Sequence, residues 1–561
     1  MKDYSLVISG AAGQGIATMG ELLLKILQDE GYFVFAAQEF MSRIRGGSNS
    51  TEIRISSKPV HAFVDRIDIL VPLTKLSMIK LADRLDDGTL IIGERSKIGD
   101  DARLHDVDLT GIATKIGGKI YSNIVAVGVI AGLFNVEMHV LERSLKKYFK
   151  GKNDEIIENN VEAARIGHEI GVKMADDGVL KVELDKNSAV KDHLVLNGAQ
   201  AVSIGALSGG CNFISSYPMS PATGVLVFLS KQSNSFDIIA EQAEDEIAAI
   251  NMAIGAWYAG GRAMVTTSGG GFALMEEGMS LSGITETPVV LHLGQRPGPG
   301  TGLPTRTEQG DLNLVLYSGH GDFPRIIFTP GTIEDAFLLA AKAFNMADKH
   351  QVPVIILTDQ YILDSYHTAS KLDLTSIQNE SHVITTSKDY VRYELTGDGI
   401  SPRGIPGRGK GLVCCDSDEH DESGHITEDF NVRIQMVDKR MSKLDLMKED
   451  AVPPDLIGSE DYENLVIGWG TTFHAIKEAL EEINDPNTSF LHVKQVYPLD
   501  PGMKDYLDGA ERIILVENNY GGQLGQLMKL EFGMEVDHKL LKYNGEPFSV
   551  EQLVHDLREV I

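Results

Sequence analysis

Cysteine is scarce in this chain, with three among 561 residues. Three thiols cannot build the disulfide framework of a small secreted protein, and an iron–sulfur cluster typically needs four thiolates. Two of the cysteines, Cys414 and Cys415, lie close to His420 and His425 along the chain. Adjacent cysteines do not easily occupy two corners of a tetrahedral zinc site, and the acidic residues around them favour a solvated hairpin. We expect no metal ion to be bound by this chain.

Basic residues and long apolar runs are also scarce. Lys and Arg number 51 against 80 Asp and Glu, a net charge of −29, and such an excess of acid argues against a nucleic-acid or anionic-membrane partner. The longest nearly apolar run, residues 123–134, is far shorter than the ~20 residues of a membrane span. The first residues lack a secretory cleavage pattern. We therefore expect a soluble, cytoplasmic protein that binds neither nucleic acid nor membrane.

Glycine, in contrast, is abundant at 57 of 561 residues, above the typical ~7%. Short apolar runs alternate with helical patterns in three segments, which is typical of α/β proteins with parallel sheets. The sequence predicts an N-terminal domain over 1–185, a parallel-sheet domain over 190–375 and a smaller α/β domain over 456–561. Residues 376–455 are polar and rich in Gly, Pro and Asp, and we expect an irregular connection there.

A glycine loop follows the first predicted strand. Gly13, Gln14 and Gly15 separate that strand from a helical pattern, and backbone N–H groups at such a helix start favour an anion. The spacing is not the G-x-G-x-x-G order of dinucleotide sites, so nicotinamide binding is weakly supported. Arg43 and Arg45 follow beside paired glycines. They suit a nucleotide or phosphate tail, or equally a solvated turn with a salt bridge.

Two loops in the second segment are typical of ligand sites. Tyr217, Pro218 and Ser220 belong to a proline-stiffened loop directly after a predicted strand, at the sheet edge where α/β proteins bind ligands. The second loop, residues 295–311, is dense in Gly and Pro and carries Arg296 near its start. A guanidinium there can pair with a carboxylate through two parallel hydrogen bonds.

Glu246 differs from the acidic residues that surround it. Glu241, Glu244 and Asp245 lie at the start of a predicted helix, where acids complement the helix dipole. The positions three, four and seven residues after Glu246 are apolar, so its side chain falls on the buried face of that helix. A buried carboxyl needs a partner or a proton, and a carboxyl that holds a proton can act as a general acid.

Together these motifs resemble the thiamin-diphosphate-dependent 2-oxoacid:ferredoxin oxidoreductases. The form they resemble is an alpha subunit of the 2-oxoglutarate type with the gamma part fused ahead of it. The resemblance rests on Gly10–Gly15, Arg45-Gly46-Gly47, Tyr-Pro-Met-Ser-Pro at 217–221, Glu246, TGLPTRTEQGDL at 301–312 and ENNYGGQL at 517–524. Most members have Tyr-Pro-Ile-Thr-Pro at the second motif, and Ser220 keeps the hydroxyl of that Thr.

The resemblance implies a fold and a catalytic residue. The fold would be a Rossmann-like gamma domain, a pyrimidine-type thiamin-diphosphate-binding domain with a parallel sheet, and a transketolase C-terminal-like domain. Glu246 would be catalytic, through a hydrogen bond to N1′ of the aminopyrimidine ring that favours removal of the C2 proton of the thiazolium. Tyr217 and Pro218 would lie beside the cofactor.

The resemblance also implies binding residues for the substrates. Arg296 would bind the carboxylate of the 2-oxoacid, in a pocket that Ser220 and Thr305 line. The distal carboxylate of 2-oxoglutarate would need a cation, which either Arg306 or a residue of a partner subunit would supply. The phosphates of coenzyme A would be bound by Gly13, Gln14, Gly15, Arg43 and Arg45.

A second polypeptide is expected from the same resemblance. The magnesium ion of the diphosphate needs a Gly-Asp-Gly motif with an Asn further on, and Gly397-Asp398-Gly399 has no Asn between 400 and 430. The thiolates of an iron–sulfur cluster are missing as well. Mg²⁺ and a [4Fe–4S] cluster are therefore expected on a beta subunit, in an (αβ)₂ hetero-oligomer that passes electrons to ferredoxin or a similar carrier.

The reaction expected from the resemblance is oxidative decarboxylation of 2-oxoglutarate with coenzyme A. Pyruvate and branched-chain 2-oxoacids are alternative substrates. A stand-alone transketolase-type enzyme would need the missing metal motif, and a nicotinamide dehydrogenase would rest on the N-terminal glycines alone. A non-catalytic interaction or regulatory subunit with the same fold stays open.

Overall fold

The structure, a computed structural model, describes residues 3–41 and 47–561. Two units make up the chain. The first contains residues up to Leu196 together with Ser365–Lys371 and Ser549–Glu551, and the second contains Asn197–Asp364, Leu372–Phe548 and Gln552–Ile561. The predicted coenzyme A residues Arg43 and Arg45 lie outside the described residues.

Strands and helices alternate through most of the chain. The strands are β1 (Asp3–Ala11), β2 (Phe33–Glu39), β3 (Ser48–Ser56), β4 (Ile69–Pro72), β5 (Leu90–Gly93), β6 (Leu104–Asp106), β7 (Leu194–Asn197), β8 (Phe213–Ser216), β9 (Ile239–Gln242), β10 (Ala263–Thr267), β11 (Val289–Gln295), β12 (Ile326–Phe328), β13 (Pro353–Asp359), β14 (Tyr366–Ala369), β15 (Asp455–Ile457), β16 (Asn464–Trp469), β17 (Thr488–Val493), β18 (Gln495–Tyr497), β19 (Arg512–Glu517) and β20 (His538–Leu541).

The helices are α1 (Ile16–Glu30), α2 (Lys75–Lys80), α3 (Arg95–Ile98), α4 (Leu109–Ile116), α5 (Ser122–Leu133), α6 (Met138–Tyr148), α7 (Asp154–Asp176), α8 (Gly198–Ser208), α9 (Thr223–Gln232), α10 (Glu246–Tyr258), α11 (Gly269–Phe272), α12 (Glu276–Thr285), α13 (Leu312–Tyr317), α14 (Ile333–His350), α15 (Gln360–Asp364), α16 (Phe430–Glu449), α17 (Thr472–Ile483), α18 (Met503–Gly509), α19 (Gln523–Phe532) and α20 (Val550–Arg558).

The first unit is built on a mixed eight-stranded sheet in the order β6-β5-β4-β1-β3-β2-β14-β7. β1 runs parallel to β4 but antiparallel to β3, and β2 is antiparallel to both β3 and β14. A purely parallel sheet is therefore the wrong prediction for this segment. β3 is not recognisable as a strand in the sequence because several of its buried positions are polar, among them Ser48, Ser50 and Arg54. Arg54 is compensated by Asp3, whose Oδ2 lies 2.8 Å from Arg54 Nε.

Helices α5 and α7 of the first unit pack through glycine. A Cβ at Gly128 or Gly132 of α5 would overlap backbone oxygens of α7, and a Cβ at Gly167 or Gly171 of α7 would overlap backbone oxygens of α5. Each helix thus has two glycines four residues apart, and these let the two backbones come into contact, as in small-residue helix packing. Apolar residues of α5, including Val125, pack into the core between sheet and helices.

The second unit contains two further sheets. Its seven-stranded sheet has the order β18-β12-β13-β11-β10-β8-β9, with all neighbours parallel except the edge strand β18. The five-stranded sheet has the order β15-β17-β16-β19-β20 and is parallel except for β15. Most strands of each sheet come from one of the predicted βα segments, but β7 and β14 of the second segment join the eight-stranded sheet, and β18 of the last segment joins the seven-stranded sheet. The boundaries 1–185, 190–375, 376–455 and 456–561 stay predictions.

The connection predicted as irregular contains a long helix. Residues 377–429 hold no helix or strand, but α16 covers twenty residues from Phe430 to Glu449. Its buried face carries Lys439, Arg440 and Lys443 between Met436 and Met447, so no amphipathic pattern marks it in the sequence.

The lysines of α16 are paired with Glu286, which is itself buried. Lys439 Nζ lies 2.6 Å from Glu286 Oε1, and Lys443 pairs with Oε2. Burial alone would raise the pKa of Glu286, but Lys443 and Lys439 lower it well below its ordinary value. Burial lowers the pKa of Lys443 to about 8, against the attraction of Glu286. This cluster fixes α16 on the second unit.

Candidate active site

The carboxyl ends of parallel strands in the seven-stranded sheet define the candidate site. β8 ends at Ser216, β10 at Thr267, β11 at Gln295 and β13 at Asp359. Loops that leave such an edge form the ligand sites of open α/β sheets. Both loops singled out from the sequence, 217–221 and 295–311, start here.

Glu246 lies at this edge as the first residue of α10. Asp245 caps the helix instead, since its Oδ1 accepts a hydrogen bond from Ala248 N at 2.7 Å. Glu246 is 4% exposed, and its Oε1 is buried without a hydrogen-bond partner among the described residues. Ala249 and Ile250 are buried as its helical neighbours. The prediction that Glu246 lies on the buried face of the helix is confirmed.

Gly271 gives the Glu246 carboxyl its room. A Cβ at Gly271 would lie 2.7 Å from Glu246 Oε1, and it would also overlap Thr267 Oγ1. The glycine run after β10 therefore forms one wall against the carboxyl. Next to it, Ser268 Oγ is also buried without a hydrogen-bond partner among the described residues. Unsatisfied buried polar atoms are rare in native proteins, and two of them in one place indicate a ligand site.

The Tyr217–Pro221 loop is held to the sheet at its two ends. Ser216, which precedes it, donates a hydrogen bond to Thr266 O at 2.5 Å. Pro221 packs on Gly294, where an added Cβ would lie 3.1 Å from the proline ring. Between these anchors Tyr217, Pro218 and Ser220 are exposed. The loop is thus fixed in place while its middle residues stay accessible to a ligand.

Arg296 joins the two loops. Its Nη1 donates a hydrogen bond to Ser220 O at 2.8 Å. The guanidinium is half-buried, and burial lowers its pKa, while Asp311 opposes that change. The structure therefore brings together two residues that the sequence assigns to one substrate pocket.

The far end of the 295–311 loop is anchored at several points. Gln309 Nε2 donates to Trp469 O at 2.8 Å, and Gln309 Oε1 accepts from Asn518 N at 2.9 Å. These bonds tie the loop to the ends of β16 and β19 in the five-stranded sheet. Asp311 N donates to Gln295 Oε1 at 3.0 Å. A loop with this many fixed backbone positions is suited to present side chains in defined directions.

Thr305 and Arg306 lie in the middle of the same loop and are both half-buried. Arg306 lies beside the C-terminal loop, because a Cβ at Gly545 would be 3.3 Å from Arg306 Cβ. Thr307, the next residue, is buried and accepts a hydrogen bond from Tyr361 N at 3.3 Å.

Comparisons with known proteins identify the family. Residues 5–170 match the family model described as pyruvate ferredoxin/flavodoxin oxidoreductase, and residues 204–439 match the model described as pyruvate flavodoxin/ferredoxin oxidoreductase, thiamine diphosphate binding. A 2-oxoacid:ferredoxin oxidoreductase subunit alpha of Sulfolobus sp is 33% identical, over 99% of this chain and 97% of that protein. The chain belongs to the alpha subunits of the 2-oxoacid:ferredoxin oxidoreductases.

Two further proteins of the family cover the whole chain. The 2-oxoglutarate oxidoreductase subunit KorA of Mycobacterium tuberculosis is 26% identical, over 100% of this chain and 92% of that one. A solved structure of the 2-oxoglutarate:ferredoxin oxidoreductase from Magnetococcus marinus, with 2-oxoglutarate, coenzyme A and succinyl-CoA bound, is 28% identical with a TM-score of 0.93. It covers 100% of this chain and 99% of its own.

Family membership confirms the resemblance that the motifs suggest. The chain is a subunit of an oxidoreductase that acts on 2-oxoacids with a ferredoxin acceptor, and the α/β fold class is confirmed. Subunit alpha, as the relatives are named, implies a complex of several subunits. Within residues 3–41 and 47–561, no helix has the length and apolar character required to span a bilayer.

The N-terminal glycine loop of this family member has the shape of a helix-start anion site. Gly13 and Gly15 have φ of 85° and 74°, a region that suits glycine. Gln14 folds back, since its Oε1 accepts from Ala11 N at 2.6 Å, and Asn123 Nδ2 donates to Gln14 O at 2.6 Å. Within residues 3–41 and 47–561, no side-chain hydrogen bond caps the start of α1. The roles of Gly13, Gln14 and Gly15 toward coenzyme A stay predictions.

Three other motifs make contacts within the fold. Asp398 Oδ1 accepts from Ile400 N at 3.0 Å, within a turn. Cys414 Sγ contacts Gly424 O at 3.3 Å. Glu517 Oε1 accepts from Leu524 N at 2.8 Å, near the start of α19.

Two acids at this edge are missing from the sequence-based prediction. Asp359 is buried at the end of β13, and burial raises its pKa to about 7, against hydrogen bonds from Ile362 and Thr307. Asp311 lies at the end of the Arg296 loop, and burial raises its pKa to about 6, against the attraction of Arg296. In the sequence, Asp359 stands at the end of an apolar strand and Asp311 at the end of a glycine-rich loop. Acids at such positions are common in solvent-exposed turns, so the sequence does not single these two out.

Proposed function

We propose that this chain is the alpha subunit, with fused gamma part, of an enzyme that oxidatively decarboxylates 2-oxoglutarate. Coenzyme A is the acyl acceptor and a ferredoxin-type protein the electron acceptor. Thiamin diphosphate is shared with a beta subunit. The observation that carries this proposal is the buried, unpartnered Oε1 of Glu246 against Gly271.

The residues around Glu246 fit the aminopyrimidine end of thiamin diphosphate. A ring nitrogen needs a carboxyl with a free oxygen in a water-excluded place, and Glu246 Oε1 meets both conditions. Tyr217 and Pro218 are exposed at the same edge and offer apolar surface to a ring. The glycines after β10 leave space that side chains would fill.

Thiamin diphosphate, when bound, supplies the carbon that adds to the 2-oxo group and accepts the electron pair left when carbon dioxide departs. With the cofactor bound, Glu246 Oε1 would share a proton with N1′ of the ring, and the burial of the carboxyl would strengthen that hydrogen bond because water does not compete. Arg296 binds the carboxylate next to the 2-oxo group, and its bond to Ser220 O orients the guanidinium. Ser220 and Thr305 are assigned to the pocket wall.

A second cation supports 2-oxoglutarate as the substrate. Arg306 lies in the same anchored loop as Arg296 and is assigned to the distal carboxylate, which pyruvate and branched-chain 2-oxoacids lack. The M. tuberculosis relative is named for 2-oxoglutarate, and the M. marinus structure holds 2-oxoglutarate. This chain shares its fold over the full length with the latter.

A beta subunit is proposed to hold Mg²⁺ and a [4Fe–4S] cluster in an (αβ)₂ assembly. The three cysteines are too few for such a cluster, and Cys211 is buried. Exposed apolar side chains occur next to Glu246 in the chain, at Ile247 (48%), and three residues after Gly271, at Leu274 (53%). A patch of this kind supports coverage by a partner. Gly13, Gln14 and Gly15, with Arg43 and Arg45, are proposed to bind the phosphates of coenzyme A.

The experiment is reconstitution with the partner subunit. The chain is co-expressed with its beta subunit without oxygen, and ferredoxin reduction is measured with 2-oxoglutarate, pyruvate or a branched-chain 2-oxoacid. We expect coenzyme A-dependent activity that is highest with 2-oxoglutarate. The variant Arg306→Gln should raise the KM for 2-oxoglutarate but leave that for pyruvate unchanged. Equal rates with all three acids would contradict the substrate assignment, and full activity of Glu246→Gln would favour a non-catalytic subunit.

A further inference from the structure

Asp311 is an acid at the same sheet edge, and the proposed reaction gives it no role. It ends the loop that begins after β11 and directly precedes α13, yet its side chain makes no capping bond to that helix. Its Oδ2 is buried and has no hydrogen-bond partner among the described residues. An ionised carboxylate with a desolvated, unpaired oxygen costs free energy. This position is therefore not explained by fold stability.

The short helix α11 brings Asp311 and Glu246 against the same backbone. A Cβ at Gly269 would lie 2.5 Å from Asp311 Oδ2, and a Cβ at Gly271 would lie 2.7 Å from Glu246 Oε1. Both oxygens lack a partner among the described residues. Asp311 and Glu246 thus pack on the same short glycine helix, at positions two residues apart.

The charged groups that act on Asp311 come from its own loop and from the end of β11. The hydrogen bond from Asp311 N to Gln295 Oε1 at 3.0 Å holds Asp311 beside the residue that precedes Arg296. Arg296 attracts the Asp311 carboxylate, and Glu308 of the same loop is repelled by it. When Asp311 is ionised, its charge offsets that of Arg296 and opposes an incoming carboxylate. When Asp311 is protonated, Arg296 keeps its full attraction for that carboxylate.

We propose that Asp311 is a positioning residue that couples 2-oxoacid binding to uptake of one proton. Its carboxylate is ionised while Arg296 has no substrate, and it takes a proton from solvent when a substrate carboxylate binds to Arg296. The proton returns to solvent when the substrate leaves, so charge and protons balance over the cycle. The inference rests on the proposed function, because it takes Arg296 as the carboxylate-binding residue.

The test uses 2-hydroxyglutarate, which keeps both carboxylates but lacks the reactive 2-oxo group. Its dissociation constant for the intact complex is measured by calorimetry from pH 5.5 to 7.5 in buffers of different ionisation enthalpy. We expect the dissociation constant to rise at least about tenfold from pH 5.5 to pH 7.5, which corresponds to about 1.4 kcal/mol. Near pH 7, binding should be accompanied by net proton uptake. In Asp311→Asn, the dissociation constant should be the same at every pH in this range and no proton should be taken up. Asp311→Glu should restore both the pH dependence and the proton uptake.

Glu308→Gln is the matched control, since it removes an acid of the same loop and should keep the pH dependence. Unchanged pH dependence in Asp311→Asn would overturn the inference. Oxidation of 2-oxoglutarate by the wild-type complex is measured in parallel. Activity with pH-independent binding overturns only the role of Asp311, whereas absence of both activity and binding overturns the proposed function.

Discussion

The glycine that faces Glu246 allows a sharp test of the site. In Gly271→Ala, the new methyl would lie 2.7 Å from Glu246 Oε1 and overlap Thr267 Oγ1, both closer than the 3.0 Å that real Cβ atoms respect. The Glu246 side chain is flexible at its end, so the new methyl should displace the carboxyl from its position. Overpacking of this kind costs about 1–3 kcal/mol, which corresponds to a loss of roughly 5- to 150-fold in affinity for the cofactor.

Gly270 supplies the matched control on the same short helix. A Cβ at Gly270 would lie 3.8 Å from Gly300 O, its nearest neighbour, so Gly270→Ala fits without displacement. The assay is the thiamin diphosphate content of the purified complex, read as thiochrome fluorescence against added cofactor, together with the thermal unfolding temperature. We expect weakened cofactor binding in Gly271→Ala only, and the unfolding temperature of each variant shows how much of the overpacking cost falls on the fold itself. Equal cofactor affinity in the two variants would refute the placement of the ligand beside Glu246.

Three further predictions concern stability. Gly167→Ala should destabilise the first unit by about 1–3 kcal/mol, because its methyl would overlap Val125 O. The control Gly255→Ala has open space around the new methyl and should be neutral or stabilising by up to about 1 kcal/mol. Denaturant titration compares the free energies of unfolding of the two variants. Burial raises the pKa of Asp359 from 3.8 to about 7, so the folded state binds a proton that the unfolded state has released, and the free energy of unfolding falls as the pH rises from about 4 to 7. Asp359→Asn should abolish up to about 4 kcal/mol of this pH-dependent decrease. The same decrease in the variant and in the wild type would contradict the prediction. Glu286→Gln should cost about 3–5 kcal/mol, because it leaves the buried Lys443 unpaired, and a thermal melt at pH 7 measures it against wild type.

The sequence predicts the parts of the site that follow from local patterning. Glu246 is predictable because helical spacing from it reaches only apolar positions, and a carboxylate on such a face is unusual. The loops at 217–221 and 295–311 are predictable because strand, proline and glycine signals coincide. The contact between Arg296 and Ser220 is not, since it depends on two strands becoming neighbours in one sheet.

Other features depend on tertiary structure that leaves no local trace. Asp311 looks like an ordinary turn residue until its loop is seen packed on Gly269. Helix α16 lacks an apolar stripe because three of the five residues on its buried face are basic. Glu286, more than 150 residues earlier in the chain, balances two of them, Lys439 and Lys443. The strand β3 contains buried serines whose partners lie on other strands, as Ser48 Oγ does with Ser9 Oγ at 3.0 Å. Long-range polar pairs of this kind override the hydrophobic pattern.

The central claim is that the buried carboxyl of Glu246 acts on bound thiamin diphosphate, and the most direct measurement is the exchange rate of the cofactor's C2 proton. Exchange into deuterated water is quenched in acid and followed by proton NMR for the wild-type complex, Glu246→Gln and the exposed-acid control Glu241→Gln. We predict that Glu246→Gln slows exchange by about 10²–10⁴-fold, the usual contribution of a positioned acid or base, while Glu241→Gln exchanges at the wild-type rate. Equal exchange rates in all three proteins, each loaded with cofactor, would contradict the account.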